Sequence, residues 1–155
     1  MEKPARNQYE LHPLIQARWS PRAYDIKRPV ETWQVCSLLE AARWAPSSFN
    51  EQPWRFIVGH PDQSPETFKK LQALLVKGNA WALQAPLLIL SVAKKRFDLN
   101  NEPNRHYAHD VGLAVGNLIL QAQHLGLQTH QMAGFYMDKA IEAFAIPADY
   151  EPMAM

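Results

Sequence analysis

The chain has one cysteine in 155 residues, Cys36, so no internal disulfide can form and a reducing compartment is the simplest setting. Charge of one sign is also missing: 16 Lys and Arg stand against 15 Asp and Glu, a formal net charge of +1. That balance excludes a broad electrostatic attraction to nucleic acid or to a membrane surface, and leaves any anion to a local cluster. No long hydrophobic run is present. The longest, near residues 111–120, is broken by Gly112, Gly116 and Asn117 and is too short to cross a bilayer. Residues 1–10 are polar and carry no apolar core of a signal peptide. No repeat, low-complexity tract or linker divides the chain. The expectation is one cytoplasmic domain over residues 1–155, long enough to bury a core without staples.

What is present is a set of aromatic rings: five Trp, five Tyr and six Phe. Cores use such rings first, and aromatic interfaces and flat-ligand sites come second. Residues 11–17 read as a short helix that stops near Trp19, because Pro21 pushes Ser20 out of helical geometry. A stronger helix spans 30–44, with Val30, Trp33, Leu38, Ala41 and Ala42 near helical spacing and Pro46 ending it. Residues 54–59 read as a strand. Ser64 caps a helix over 65–76, with Pro65 opening it and Gly78 closing it. The apolar run 87–93 suits a strand covered on both faces. The longest helix spans 106–125, followed by a short third strand at 128–132 and a last helix at 138–145. Residues 150–155 look like the beginning of a further strand. Helices alternating with three strands imply a small α+β layer structure.

Four constellations can carry chemistry. In an extended stretch, Arg18, Ser20 and Arg22 point to one side, two guanidinium groups flanking a hydroxyl, an array suited to phosphate and carbonyl oxygens. A solvated basic turn would look the same. The loop Ala45-Pro46-Ser47-Ser48-Phe49-Asn50-Glu51-Gln52-Pro53-Trp54 is bounded by prolines, and Asn50 can match a heterocycle edge that carries carbonyl and N–H groups. Loop capping is the plain alternative. Gly112 and Gly116 permit a close helix crossing, within one chain or between two. Gln131-Met132-Ala133-Gly134-Phe135 places backbone N–H groups before a helix, where an electron-rich ring atom can approach, although a strand-to-helix turn explains it too. His106, His109 and Asp110 lack a fourth ligand of obvious spacing, so a metal site is disfavoured. Cys36 reads as core and Lys94-Lys95-Arg96 as a solvated strand end.

Taken in order, these pieces resemble the nitroreductase family. The opening Arg18, Ser20, Arg22 array matches, and the run from Ala42 through Asn50 to Phe56 follows the family's most recognisable signature almost residue for residue. Asp110, Gly112, Ala114, Asn117, Leu118 and the ending Leu125-Gly126-Leu127 look like its long central helix. The resemblance implies an α+β fold with a central mixed sheet flanked by helices and an intertwined homodimer. It implies FMN bound at the dimer interface, with NADPH or NADH as electron donor and nitroaromatics, quinones or related small acceptors reduced by ping-pong hydride transfer. Other reductive chemistry on the scaffold, such as dehalogenation or flavin cleavage, and a non-catalytic flavin-binding dimer are the alternatives.

Position by position, the resemblance assigns Arg18 and Ser20 to the FMN phosphate and ribityl chain, Arg22 to the pyrimidine side of the ring, and Trp19 to the cofactor site. Pro46, Ser47, Ser48 and Asn50 would come from the partner subunit, Asn79 would touch the ring, and Gln131, Ala133 and Gly134 would lie beside it. The flavin carries the chemistry, so no side chain is assigned as catalytic. Two departures stand out. Tyr136 stands where relatives often carry an acidic helix cap, which moves the expected helix start toward Asp138, and the expectation is that the family's C-terminal strand and tail are not part of these 155 residues.

Overall fold

The structure, a computed structural model, describes residues 6–155; the first half of the polar opening segment lies outside them. Three strands form an antiparallel sheet in the order β1-β2-β3: β1 is Trp54–Gly59, β2 is Leu88–Lys94 and β3 is Tyr150–Ala154. Five α-helices surround it: α1 (Pro13–Ala17), α2 (Thr32–Arg43), α3 (Pro65–Ala73), α4 (Tyr107–His124) and α5 (Met137–Phe144).

The period-two alternation of the strands explains the layering. Leu88, Leu90 and Val92 of β2 point into a core shared with Leu71 and Leu74 at α3 and Ala140 of α5. Ile89 and Ala93 point the other way, with Trp54 and Phe56 of β1, onto Leu38 and Ala42 of α2 and Val111, Ala114 and Leu118 of α4. The sheet is therefore the middle of three layers. That is why β2 reads as an unbroken apolar run: both of its faces are covered.

Several expectations need correction. The sheet is antiparallel throughout rather than mixed. Residues 128–132 form no strand, because Met132 makes a single reciprocal backbone pair with Met155, at 2.8 and 3.0 Å, and residues 128–131 make none. The expected strand start at 150–155 is β3. Helix α3 ends at Ala73, and Gly78 instead lies in a 3₁₀ stretch, Lys77–Gln84, kinked at Asn79. Ser64 precedes α3 but does not cap it with its side chain. Its hydroxyl accepts from the His60 N–H (2.9 Å) and donates to the Val58 carbonyl (3.2 Å), tying the turn rather than the helix. Cys36 and Trp33 lie exposed on the outer side of α2, where Gln34 is buried because its side chain closes a capping box with Glu31.

Gly59 is the position where α3 meets the sheet most closely. A β-carbon there would lie 2.7 Å from the Phe68 Cα and 2.8 Å from Leu71 Cδ1, closer than either can yield. Gly59→Ala is expected to cost roughly 1–3 kcal/mol of stability, the usual range for overpacking, read as a lowered urea midpoint at unchanged slope.

Candidate functional site

The proline-bounded loop is built against the start of α4. Ser48–Asn50 makes one 3₁₀ turn in which Phe49 and Asn50, and then Gln52, take left-handed φ angles of 53°, 55° and 50°. Non-glycine residues avoid this region, so something must hold the loop there. The holder is Asp110 in the first turn of α4. Its carboxylate is buried, accepts the Ser48 backbone N–H at 2.9 Å and lies 3.1 Å from His109 Nδ1. Ser47 Oγ accepts the Gln52 N–H (3.0 Å) and Asn50 Oδ1 accepts from Gln52 Nε2 (3.2 Å), so loop capping is real here. It leaves the Asn50 amide nitrogen free of those bonds and Pro46 and Asn50 exposed. Phe49 projects with 91% of its surface exposed, its ring edge-on to Phe97 at 5.8 Å.

The other sequence-predicted residues gather elsewhere. Arg18 follows α1 in extended geometry and its Nη1 donates to Ser20 Oγ at 3.3 Å. The Pro21 carbonyl lies 2.8 Å from His130 Nδ1, which fixes the 18–22 segment beside residues 128–134. Trp81 packs against His130 at 4.4 Å and stacks with Tyr24 at 6.2 Å, joining both segments to the 77–84 stretch. Burial pushes the Tyr24 phenol up to about 12, so it stays neutral. Asn79 Nδ2 donates to the Gly134 carbonyl at 2.8 Å. A β-carbon on Gly134 would sit 2.6 Å from that same nitrogen, so a side chain there would push the Asn79 amide aside. Gln131 and Ala133 face outward while Met132 is buried. Among the described residues neither Arg18 nor Arg22 joins an ion pair. Two guanidinium groups without a carboxylate partner make a place for an anion.

The two groups do not meet. Helix α4 is 18 residues long, and Asp110 lies in its first turn while residues 126–134 follow its last. From Asp110 to His124 the helix rises about 21 Å at 1.5 Å per residue. Between them, Gly112 and Gly116 present a face on which an added β-carbon would meet nothing within 4 Å, beside the half-exposed Leu113. The close crossing that glycine spacing permits is thus not made within the chain.

A profile of the nitroreductase family matches residues 15–155. The chain belongs to the nitroreductase family. A solved oxidoreductase containing FMN is 34% identical, superposes with a TM-score of 0.89, and is matched over 96% of this chain and 76% of its own. An FMN-dependent nitroreductase from Clostridium difficile R20291 is 25% identical with a TM-score of 0.73, over 91% and 82%. The major NAD(P)H-flavin oxidoreductase of Aliivibrio fischeri is 38% identical over 58 residues, 36% of this chain and 27% of that enzyme.

Within this nitroreductase-family fold, sequence reading missed the anchoring role of Asp110 and the Tyr24–Trp81–His130 stack. In the sequence Asp110 stood out as a disfavoured metal candidate with His106 and His109 and as part of the central-helix resemblance, and the three packed rings are scattered along the chain. The described residues hold no cluster of three or more metal-ligating groups, and none of their helices is long and apolar enough to cross a membrane. Lys94 is not a solvated strand end: only 13% of its side chain is exposed, between Glu51 at 3.6 Å and Asp98, and the Asp98 carboxylate raises its pKa. The helix after Tyr136 starts at Met137, one residue before the expected Asp138.

Replacing Asp110 by Ala removes a charge-assisted acceptor and orphans the Ser48 N–H, an expected cost of about 2 kcal/mol. Amide exchange across residues 47–52 should accelerate by at least about tenfold in Asp110→Ala while the β2 amides keep their protection.

Proposed function

We propose that this chain is an NAD(P)H-dependent FMN oxidoreductase that reduces nitroaromatics, quinones or related small acceptors, working as a homodimer with each flavin site shared between two subunits. The observation that carries this reading is the split of the site. Arg18 and Arg22, in ion pairs with no described residue, belong to the segment fixed beside His130, while the polar loop of the family's flavin-binding signature is anchored on Asp110 at the start of α4. A twofold axis crossing the Gly112–Gly116 face would bring the loop of one subunit against the arginine segment of the other.

The residues fit the cofactor. Arg18 and Ser20 form a donor pair for the phosphate and ribityl oxygens, with Trp19 between them in the chain. Arg22 supplies positive charge for the pyrimidine side, where negative charge builds up on reduction. Pro46, Ser47, Ser48 and Asn50 of the partner supply polar contacts from a loop already rigid, so little ordering is lost on binding. Asn79, braced on Gly134, and the outward Gln131 and Ala133 complete the side nearest the ring. The flavin, when bound, takes a hydride from the nicotinamide and passes reducing equivalents to the acceptor, so no side chain has to act as an essential acid or base. A single cleft used in turn by donor and acceptor accounts for ping-pong turnover. The solved FMN-containing relatives and the NAD(P)H-flavin oxidoreductase match support this reading.

The purified protein is expected to be yellow, to release flavin on denaturation and to oxidise NADPH or NADH when a nitroaromatic or quinone is present. Colourless protein that takes up no added FMN would overturn the assignment. Arg18→Ala with Arg22→Ala removes two charge-assisted contacts and should weaken FMN binding by about a hundredfold or more, measured by fluorescence titration. Gly116→Arg adds a cation where the chain itself has open space. It should leave the fold intact and yield colourless monomers by light scattering.

A further inference from the structure

The signature loop carries a ring that takes no part in either hydrophobic core. Phe49 stands between Ser48 and Asn50 with 91% of its surface exposed, on backbone held at a φ of 53°. An exposed ring and a left-handed φ are both unfavourable in a free loop. Asp110 keeps the ring there by accepting the Ser48 N–H at 2.9 Å.

A second ring is brought to it by the segment between β2 and α4, which closes on itself. The Phe97 N–H donates to the Glu102 carbonyl (2.9 Å), and the Asn101 N–H donates to the Phe97 carbonyl (3.0 Å). Arg96 Nη1 donates to the Asn101 carbonyl at 2.8 Å. Glu51 of the signature loop fastens this segment. Its carboxylate accepts the Asp98 N–H at 2.8 Å and lies 3.6 Å from Lys94 Nζ, which also pairs with Asp98. Only 7% of the Glu51 side chain is exposed, so salt screens this link little. Phe97 thereby meets Phe49 with ring centroids 5.8 Å apart and planes at 88°. Two rings, each on fixed backbone, make a right-angled corner beside Asn50.

We propose that Phe49 and Phe97 form one wall of the acceptor site and select flat, fused-ring acceptors such as naphthoquinones over single rings. This rests on the reading of Ser48 and Asn50 as flavin contacts, because those residues flank Phe49 in the chain. An acceptor lying on the flavin then comes within reach of the Phe49 ring. Aromatic rings attract one another in offset-stacked and edge-to-face arrangements, and a right-angled corner offers both. A fused bicyclic acceptor has apolar area for the flavin and the corner together, whereas a single ring has less to share. Neither phenylalanine carries a polar group, so a charged substituent gains nothing from this wall. The corner is set before the acceptor arrives, so little ordering is lost on binding. It belongs to the chain that supplies the loop, and in the proposed dimer it serves the partner's flavin.

The test compares reduction of menadione, with two fused rings, and duroquinone, with one, by the whole chain with its flavin. NADPH, a proton and the quinone give NADP+ and the hydroquinone in both cases. The variants are Phe49→Asn, Phe97→Ser and Phe49→Tyr. Asparagine tolerates the left-handed φ, so Phe49→Asn removes an exposed ring and leaves the backbone in place. The ratio of kcat/KM for menadione to that for duroquinone should fall about tenfold in Phe49→Asn and in Phe97→Ser, through KM, and persist in Phe49→Tyr. An unchanged ratio in either folded variant overturns the proposal. Should Phe97→Ser fail to fold, Phe49→Asn decides alone. Loss of flavin or of the dimer in Phe49→Asn also overturns it, because the ring then packs on the cofactor or the partner chain instead of the acceptor. Wild type that binds no flavin, or reduces neither quinone, overturns the flavin reading itself, a result seen before any variant is made.

Discussion

Everything about the proposed site follows from the stiffness and length of α4. A helix of 18 residues is a stiff element, and this one holds the loop anchor Asp110 in its first turn and leads at its end into residues 126–134, beside which the arginine-bearing segment is fixed. The proposed site draws on both groups. In the proposed dimer, a second copy reversed about the glycine face would bring them together without any change in the fold. The same glycines that leave the face bare within the chain let another backbone come near. In that dimer assembly and cofactor binding would be one property, each subunit contributing two half-sites.

Asp110 is the point at which this spacer becomes chemistry. Three left-handed residues within four positions would relax in a free loop. One buried carboxylate accepting the Ser48 N–H keeps them, and the helix N-terminus favours the negative charge that does so. The loop is thereby set before any ligand arrives. At the other end the work is done by rings rather than charge: Tyr24, Trp81 and His130 pack three segments together, and the neutral phenol lets Tyr24 stay buried. The arginines can remain without carboxylate partners because the surrounding contacts, not ion pairs, hold their segment.

Much of this was legible in the sequence. β2 was readable because burial on both faces removes alternation, and α4 because its apolar positions recur over many turns and end at Gly126. The loop was readable because its polar residues and prolines follow one another directly. What was not legible depends on contacts between distant segments. Residues 128–132 have strand-like composition, yet strand formation needs a neighbour, and only Met132 has one, in Met155. Ser64 looks like a cap in sequence, but the nearby His60 N–H and Val58 carbonyl claim its hydroxyl. Asn79 was placed near the ring by resemblance alone. That its amide braces Gly134 from 2.8 Å could be seen only in the fold.

The central claim, that neither chain owns a complete site, is tested most directly by complementation. One variant lacks the arginines at 18 and 22; a second carries loop changes at Ser47 and Asn50. Each alone should purify without flavin. Co-expressed with separate tags and isolated as the mixed dimer, they regenerate one intact site from two wild-type halves, and flavin content should return to about one per dimer. Mixed dimers that stay colourless, while dimers of two wild-type chains bind flavin under the same conditions, would contradict the shared site.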